Sequence, residues 1–172
     1  MSDIQFDYLE SIDNPLDRVE DVMNANNWIF SRINDDELMV QITGKCCGYN
    51  LFFIWQEEMS ALQFCAQYDF AINEGQTGKA AKALMNINEK LWMGHFEVPT
   101  DTKIPAFRHT CLYRGMQRTS AADLEDLVEI ALAQCEKHYA AFYILSHAND
   151  ANYTCDNDQN LSLALMETIG ES

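Results

Sequence analysis

Two histidines and one cysteine are the residues of this sequence best suited to metal chemistry. His109 and Cys111 alternate within a segment rich in strand-forming residues, so a strand would place both side chains on one face. His95 opens a second such segment and would lie on the neighbouring strand. Imidazole nitrogen and thiolate sulfur are common zinc ligands, but no tight spacing here supplies a fourth ligand. We therefore favour packing in a core or cleft, with a metal site as the alternative.

Cys46 and Cys47 form an adjacent pair between two glycines, in the segment "GKCCGYN". A reactive thiol needs a pKa lowered by nearby positive charge, and Lys45 is the only local candidate. A disulfide between adjacent cysteines would demand unusual backbone geometry. The favoured interpretation is a turn built with small residues, and a redox role is the alternative.

The segment Asp156-x-Asp158-x-Asn160 has the opening spacing of a calcium-binding EF-hand loop, and Glu167 falls at its twelfth position. However, Leu161 occupies the position where that loop requires glycine. The residues that follow favour a helix rather than a loop. Capping of that helix by Asn160 or Asp158 explains the same residues more simply than calcium does.

The sequence contains none of the glycine-framed motifs of acyl or phosphoryl transfer. There is no G-x-S-x-G, no P-loop and no G-x-G-x-x-G. Catalytic groups can also assemble from distant positions, so an enzyme stays open as a class. The residues themselves therefore nominate no catalytic, cofactor-binding or metal-binding position, and we expect no cofactor.

The net charge is strongly acidic, at −16, and it is concentrated at both ends of the chain. Residues 1–27 hold seven acidic groups against Arg18, for a net charge of −6. Residues 147–172 hold five acidic groups and no lysine or arginine, for −5. Such a surface repels phosphate groups, so we expect neither nucleic acid nor membrane as a partner. It would attract a basic protein surface, although solubility alone also accounts for the charge.

The composition predicts a single reduced, cytoplasmic domain. The first residues lack the basic segment and apolar run of a signal peptide, and no apolar run approaches the roughly 20 residues that span a bilayer. The six cysteines are scattered without C-x-x-C spacing, which is typical of free thiols. At 172 residues and 48% hydrophobic content, the chain can bury one core.

Hydrophobic periodicity predicts four helices and six strands. The expected helices cover residues 14–27, 77–93, a long segment capped by Ser120 and Asp123, and 161–170. The expected strands cover residues 28–33, 38–43, 49–55, 61–72, 95–98 and 104–114. The order is α-β-β-β-β-α-β-β-α-α, and runs of strands between helices predict an α+β fold with an antiparallel sheet flanked by helices.

Two of these elements carry more apolar residues than one face needs. The strand at 49–55 is apolar on both sides, with Phe52 and Ile54 opposite its main stripe, which suits a central strand or a face buried in an oligomer. In the helix at 77–93, the expected stripe of Ala80, Leu84, Ile87 and Leu91 is widened by Ala81, Met85 and Trp92. Gly94 stands where a left-handed residue would end that helix.

The segment "NEKLWMGHFEV" resembles the signature of the YbjN family, bacterial proteins grouped as regulators of sensory transduction. Further matching pieces cover nearly the whole chain, from about residue 10 to "METIGE", in the form found in alphaproteobacteria. They are "NPLDRVEDVMNANNW", "DDELMVQITGKCCGYNLFFIWQEEMSALQFCAQYD", "FRHTCLYRG" and "LEDLVEIALAQCEKHYAAF".

The resemblance implies a fold like that of type III secretion chaperones, which are small α+β dimers that bind other proteins. It supplies no catalytic residues, so Trp92, Gly94, His95 and Phe96 are interpreted as structural: helix stop, strand entry and packing. It further implies one YbjN-like domain over 1–172, with an acidic N-terminal segment at 1–13 and an acidic loop and short C-terminal helix at 147–172.

Two functions follow as hypotheses. The favoured one is a non-enzymatic regulatory or chaperone-like module that forms a homodimer and binds a protein partner. The alternative is a small-molecule- or metal-binding enzyme that uses the region of His95, His109 and Cys111.

We expect no measurable binding of DNA or RNA at physiological salt, because the chain lacks the lysine and arginine clusters that phosphates require. Electrophoretic mobility shift with a labelled DNA duplex and a labelled RNA will check this, beside a basic DNA-binding protein as positive control. A retarded complex formed by this chain would contradict the expectation.

Overall fold

The computed structural model describes residues 14–113, 120–148 and 157–167, and it contains the expected elements in the expected order. The helices are α1 (Leu16–Ala25), α2 (Thr77–Asn88), α3 (Ala121–His147) and α4 (Asn157–Glu167). The strands are β1 (Ile29–Asn34), β2 (Glu37–Thr43), β3 (Gly48–Gln56), β4 (Ala61–Tyr68), β5 (His95–Glu97) and β6 (Ala106–Leu112). This confirms the α+β prediction.

The six strands form one antiparallel sheet in the order β1-β2-β3-β4-β6-β5. The first four strands follow one another as a meander. The chain then crosses through α2 and returns as a β5–β6 pair, with β6 beside β4. β3 and β4 are therefore central, while β1 and β5 are the two edges.

The core lies on one face of this sheet, which we call the inner face. Alternate side chains of β3 and β4 are buried there, including Leu51, Phe53 and Phe64. α1 packs across β1, β2 and β3, and α3 packs across β4 and β6, while α4 contacts α3 and α2. The Tyr68 hydroxyl donates a hydrogen bond of 2.6 Å to the carbonyl of Cys135, which ties α3 to β4.

Side chains predicted to cap α1 and α3 do so, but the predicted capping of α4 by Asn160 or Asp158 is wrong, because α4 begins at Asn157 and includes both positions. The Asn14 Oδ1 accepts the backbone N–H of Leu16 at 3.0 Å, at the start of α1. Ser120 and Asp123 form a reciprocal capping box, with both hydrogen bonds at 3.1 Å. These bonds satisfy donors that a helix N-terminus leaves without partners, so local sequence fixes both starting points.

α2 is shorter than predicted and buries fewer residues. It ends at Asn88 rather than near residue 93, and Ala81, Met85 and Trp92 are exposed, so the predicted widening of the stripe is wrong. Met85 is 77% exposed and Trp92 75%. The Asn88 side chain accounts for the end of the helix, because its amide leaves the helix to bond both backbone groups of Phe96, at 3.0 and 2.7 Å.

Gly94 has the predicted left-handed backbone, with φ of +65°, but it does not cap the helix. It lies six residues after Asn88 and leads directly into β5. A Cβ atom there would meet the ring of Phe107 and come within 2.7 Å of the Arg108 carbonyl oxygen. Only glycine therefore fits this approach of the chain to β6.

Gly94→Ala should destabilise the fold by about 2–4 kcal/mol, because it adds left-handed strain to steric overlap in the core. Urea unfolding will measure it. The matched control is Gly78→Ala, since a Cβ at Gly78 in α2 would meet nothing within 4 Å. That variant should be neutral or more stable, by up to about 1 kcal/mol. Equal stabilities for the two variants would contradict this account.

Candidate protein-binding surface

The outer face of the sheet, opposite the core, carries an apolar centre. Met39 of β2 pairs with Phe52 of β3, which pairs with Cys65 of β4, so the three side chains form one row across the sheet. Ile54 lies two positions along β3 from Phe52 on the same face. All four side chains are only half-buried. Phe52 and Ile54, which the sequence predicted to need a second covering layer, therefore have none in the part of the chain that the structure describes.

Polar groups frame this centre on two sides. On one side, the Gln41 amide donates to Asn50 at 3.4 Å. On the other side, the Arg108 guanidinium donates to both carboxylate oxygens of Glu97 at 3.3 Å and to the Gln63 amide oxygen at 3.2 Å. A partly exposed ion pair contributes little to stability, so its main effect is to orient the guanidinium across the outer face.

Carboxylates collect at one end of the sheet. In an antiparallel meander, the β1–β2 turn and the β3–β4 turn lie at the same end. They carry Asp35 and Asp36 in the first turn and Glu57 and Glu58 in the second, all exposed. The described part of the outer face therefore joins an apolar centre to a strongly acidic end.

His95 does not face the other two candidate metal ligands. β5 pairs with β6 as expected, but His95 is opposite Arg108 in the register, so its side chain points to the outer face. His109 and Cys111 point to the inner face, opposite Phe64 and Leu62. Burial and then His95 lower the pKa of His109. Among the described residues, no three His, Cys, Asp or Glu side chains gather into a metal-binding group.

Cys46 and Cys47 lie in the β2–β3 turn, where both pKa values are raised. The Glu136 carboxylate accepts the backbone N–H of Lys45 at 2.8 Å and that of Cys46 at 3.5 Å. A hydrogen bond to Glu136 is the largest cause that raises the pKa of Cys46, and burial is the largest for Cys47. A reactive thiol needs the opposite shift. The five described cysteines are free, and Cys155 lies outside the described residues.

Residues 157–167 form α4, so the positions after Asp156 are helical rather than looped. The backbone of an EF-hand loop is absent from this described segment, which argues against calcium at Asp158, Asn160 and Glu167. Asp156 itself lies outside the described residues.

An open groove of about 690 Å³ runs between the β2–β3 turn, α3 and α4. Its described lining mixes aliphatic residues, among them Ile42, Leu132 and Ala164, with polar and charged ones. Its one carboxylate, Glu136, already binds the amides of the turn. Lys45 and Lys137 also line the groove.

Residues 15–143 match the model of the YbjN family, whose description is "Putative bacterial sensory transduction regulator". The match covers most of the chain, and the chain belongs to the YbjN family, as its resemblance predicted. No curated protein matches the chain. A similar solved structure is described as "Crystal structure of YbjN, a putative transcription regulator from E. coli"; it has 10% identity, 90% coverage of both chains and a TM-score of 0.49. The likeness to type III secretion chaperones stays a prediction.

Among the described residues, no helix combines the length and apolar character that crossing a bilayer requires.

Sequence reasoning missed one buried titratable group, His138 of α3. Its side chain is 3% exposed and packs edge-on against Phe96, with ring centroids 5.5 Å apart. Its Nδ1 is buried without a hydrogen-bond partner. Burial, followed by the charges of Lys137 and Lys90, lowers the pKa of His138 to about 4. The residue is therefore neutral in the folded protein near pH 7, and its helical spacing from Cys135 and Phe142 was the available signal.

His138 should make the fold acid-sensitive. Its folded-state pKa lies below the unfolded value of 6.5, so the unfolded chain binds the proton more tightly and stability is lost as pH falls from 6.5 towards 4. Between pH 7 and pH 5 this loss should be about 2 kcal/mol. Urea unfolding at both values will measure it, and His138→Phe should lose less stability by that amount. Equal losses in both proteins would contradict the assignment.

Proposed function

We propose that the chain is a non-enzymatic regulatory or chaperone-like module that binds another protein through the outer face of its sheet. The observation that carries this proposal is the half-buried row of Met39, Phe52 and Cys65, with Ile54 beside it. Contiguous apolar patches framed by polar groups are typical of protein interaction surfaces. Membership of a family described as a regulator of sensory transduction supports the same class.

The acidic end of the sheet supports a basic partner. Exposed carboxylates near an apolar patch speed encounter with a basic protein and change association rate more than final affinity. The association rate should therefore fall as sodium chloride screens the charges. Nucleic acid and membrane remain outside the proposal, because neither offers positive charge.

The proposal covers the whole chain, 1–172, as one domain that forms a homodimer in the cytoplasm. The free state of the five described cysteines supports a reducing compartment. The resemblance to small dimeric chaperones supports the homodimer. The enzyme alternative is weakened because its three residues do not lie on one face of the sheet: His95 is on the opposite face from His109 and Cys111.

Capture from a native lysate of the source cell tests the function. A stoichiometric protein partner should be retained by the wild type and by Met85→Ser, and depleted with Phe52→Ser. Met85 is the matched control because it is an exposed apolar residue on α2. Urea unfolding will confirm that both variants fold. Equal recovery with both variants, or a metal or metabolite as the sole companion, would contradict the proposal.

Sedimentation equilibrium should show a homodimer at micromolar concentration, because the resemblance to small dimeric chaperones implies one and two-fold dimers are the commonest oligomers. The expected mass is twice the 19.7 kDa of one chain. A species of 19.7 kDa at that concentration would rule the dimer out.

A further inference from the structure

The two edge strands of the sheet differ in whether their outer backbone groups are hydrogen-bonded, and those of β5 are. β5 has only three residues, and the Asn88 side chain lies beside the middle one. Its amide nitrogen donates to the Phe96 carbonyl, and its amide oxygen accepts the Phe96 N–H. One side chain thus satisfies both backbone groups that another strand would need. An added strand at this edge would have to displace Asn88.

Over residues 29–32, the β1 edge has no such side-chain closure within the described residues. It is six residues long and pairs only with β2 among the strands. Residues 29–32 of β1 pair with β2 in regular register, and the strand contains no proline or lysine. A register irregularity, which protects many strand edges, occurs only between Arg32 and Asn34, at the end of β1 next to the β1–β2 turn. Ile29 is 79% exposed and Ile33 51%. An exposed edge that presents unpaired backbone groups, as β1 does over residues 29–32, is a template for another strand.

The only cation on β1 is turned back into the fold. The Arg32 guanidinium reaches Glu20 at 2.7 Å and Asp17 at 3.4 Å, and it donates to the carbonyls of Asn34 and Asp35 at 2.9 and 2.7 Å. Its charge therefore interacts with carboxylates of α1 and carbonyls at the β1–β2 turn.

Carboxylates outnumber that cation along the same edge. Asp17 is 76% exposed despite its contact with Arg32. Asp21 follows it one helical turn later and is exposed, and Asp35 and Asp36 lie beyond the end of β1. Arg18 adds one exposed positive charge. The surroundings of β1 are therefore negative on the side of α1 and at the turn, and apolar on the outer face.

We propose that the free edge of β1 accepts an extended segment of another protein in which apolar residues alternate with lysine or arginine. Backbone hydrogen bonds to β1 would hold the segment as a seventh strand. Because side chains of a strand alternate between faces, its apolar residues would lie beside Ile29 on the outer face while its basic residues reach Asp17, Asp21 and the β1–β2 turn. This inference rests on the proposed protein-binding function and names the edge and the chemistry of the partner.

Charge disfavours a second copy of this chain as the occupant. Pairing β1 with β1 of another copy would bring two acidic α1 helices together, each with Asp17 and Asp21 exposed. Arg32 of each copy is already engaged. Like charges across an interface cost affinity, whereas a basic strand gains from the same field.

The probe is a blocked ten-residue synthetic peptide that alternates lysine with valine. It should bind the full-length protein in fluorescence anisotropy and slow hydrogen exchange of the β1 amides, residues 29–34. A glutamate–valine peptide should bind at least tenfold more weakly. The lysine–valine peptide with an N-methyl group on every residue keeps its charge but has no backbone N–H to donate from either edge, so it should also lose at least tenfold.

Ile29→Lys should weaken binding of the lysine–valine peptide about tenfold, while Met85→Lys should leave it unchanged. Both variants replace an exposed apolar residue, so neither threatens the fold. Undiminished binding of the N-methylated peptide, equal effects of the two variants, or protection of amides away from 29–34 would overturn the proposal. So would β1 protection that rises with protein concentration alone, which would mean a second copy. If the native partner is still captured through Phe52 while the peptide fails to bind, the edge proposal falls and the proposed function stands.

Discussion

The packing of α1 and α3 against one face of the sheet is the constraint on which the rest of the structure depends. Aromatic contacts join the layers: Tyr68 meets Phe142 at 5.3 Å and Phe96 meets the same ring at 5.4 Å between centroids. With the core concentrated there, the apolar residues on the second side of β3 have no described helix to cover them. The open outer face follows directly from this one-sided arrangement.

The sequence was most informative where one local signal decided the outcome. Alternation in β2, β3 and β4 and the Ser120–Asp123 capping box gave the element order and the antiparallel class. The end of α2 was different, because it depends on a bond between the Asn88 side chain and the backbone of β5. Helical periodicity continues past Asn88, so it predicted burial for Trp92 where the structure exposes that residue.

The candidate site was predictable only in part, for geometric reasons. Phe52 and Ile54 stood out as surplus apolar residues before the structure was known. The face on which His95 lies could not be predicted, since a shift of one residue in the β5–β6 register would move its side chain to the other side of the sheet. The acidic end of the sheet also required the fold, because its two turns are more than twenty residues apart in sequence and meet only through the meander.

Asn88 has a consequence for the size of any assembly built by this chain. Filaments of stacked sheets need each subunit to offer two complementary edges, so that every junction leaves another free end. Here the β5 edge of the sheet is closed by the side-chain amide of Asn88, whose two hydrogen bonds replace those of a neighbouring strand. Growth by strand addition must therefore stop after a single junction. The fold can therefore keep one exposed strand edge for recognition without the hazard of open-ended polymerisation.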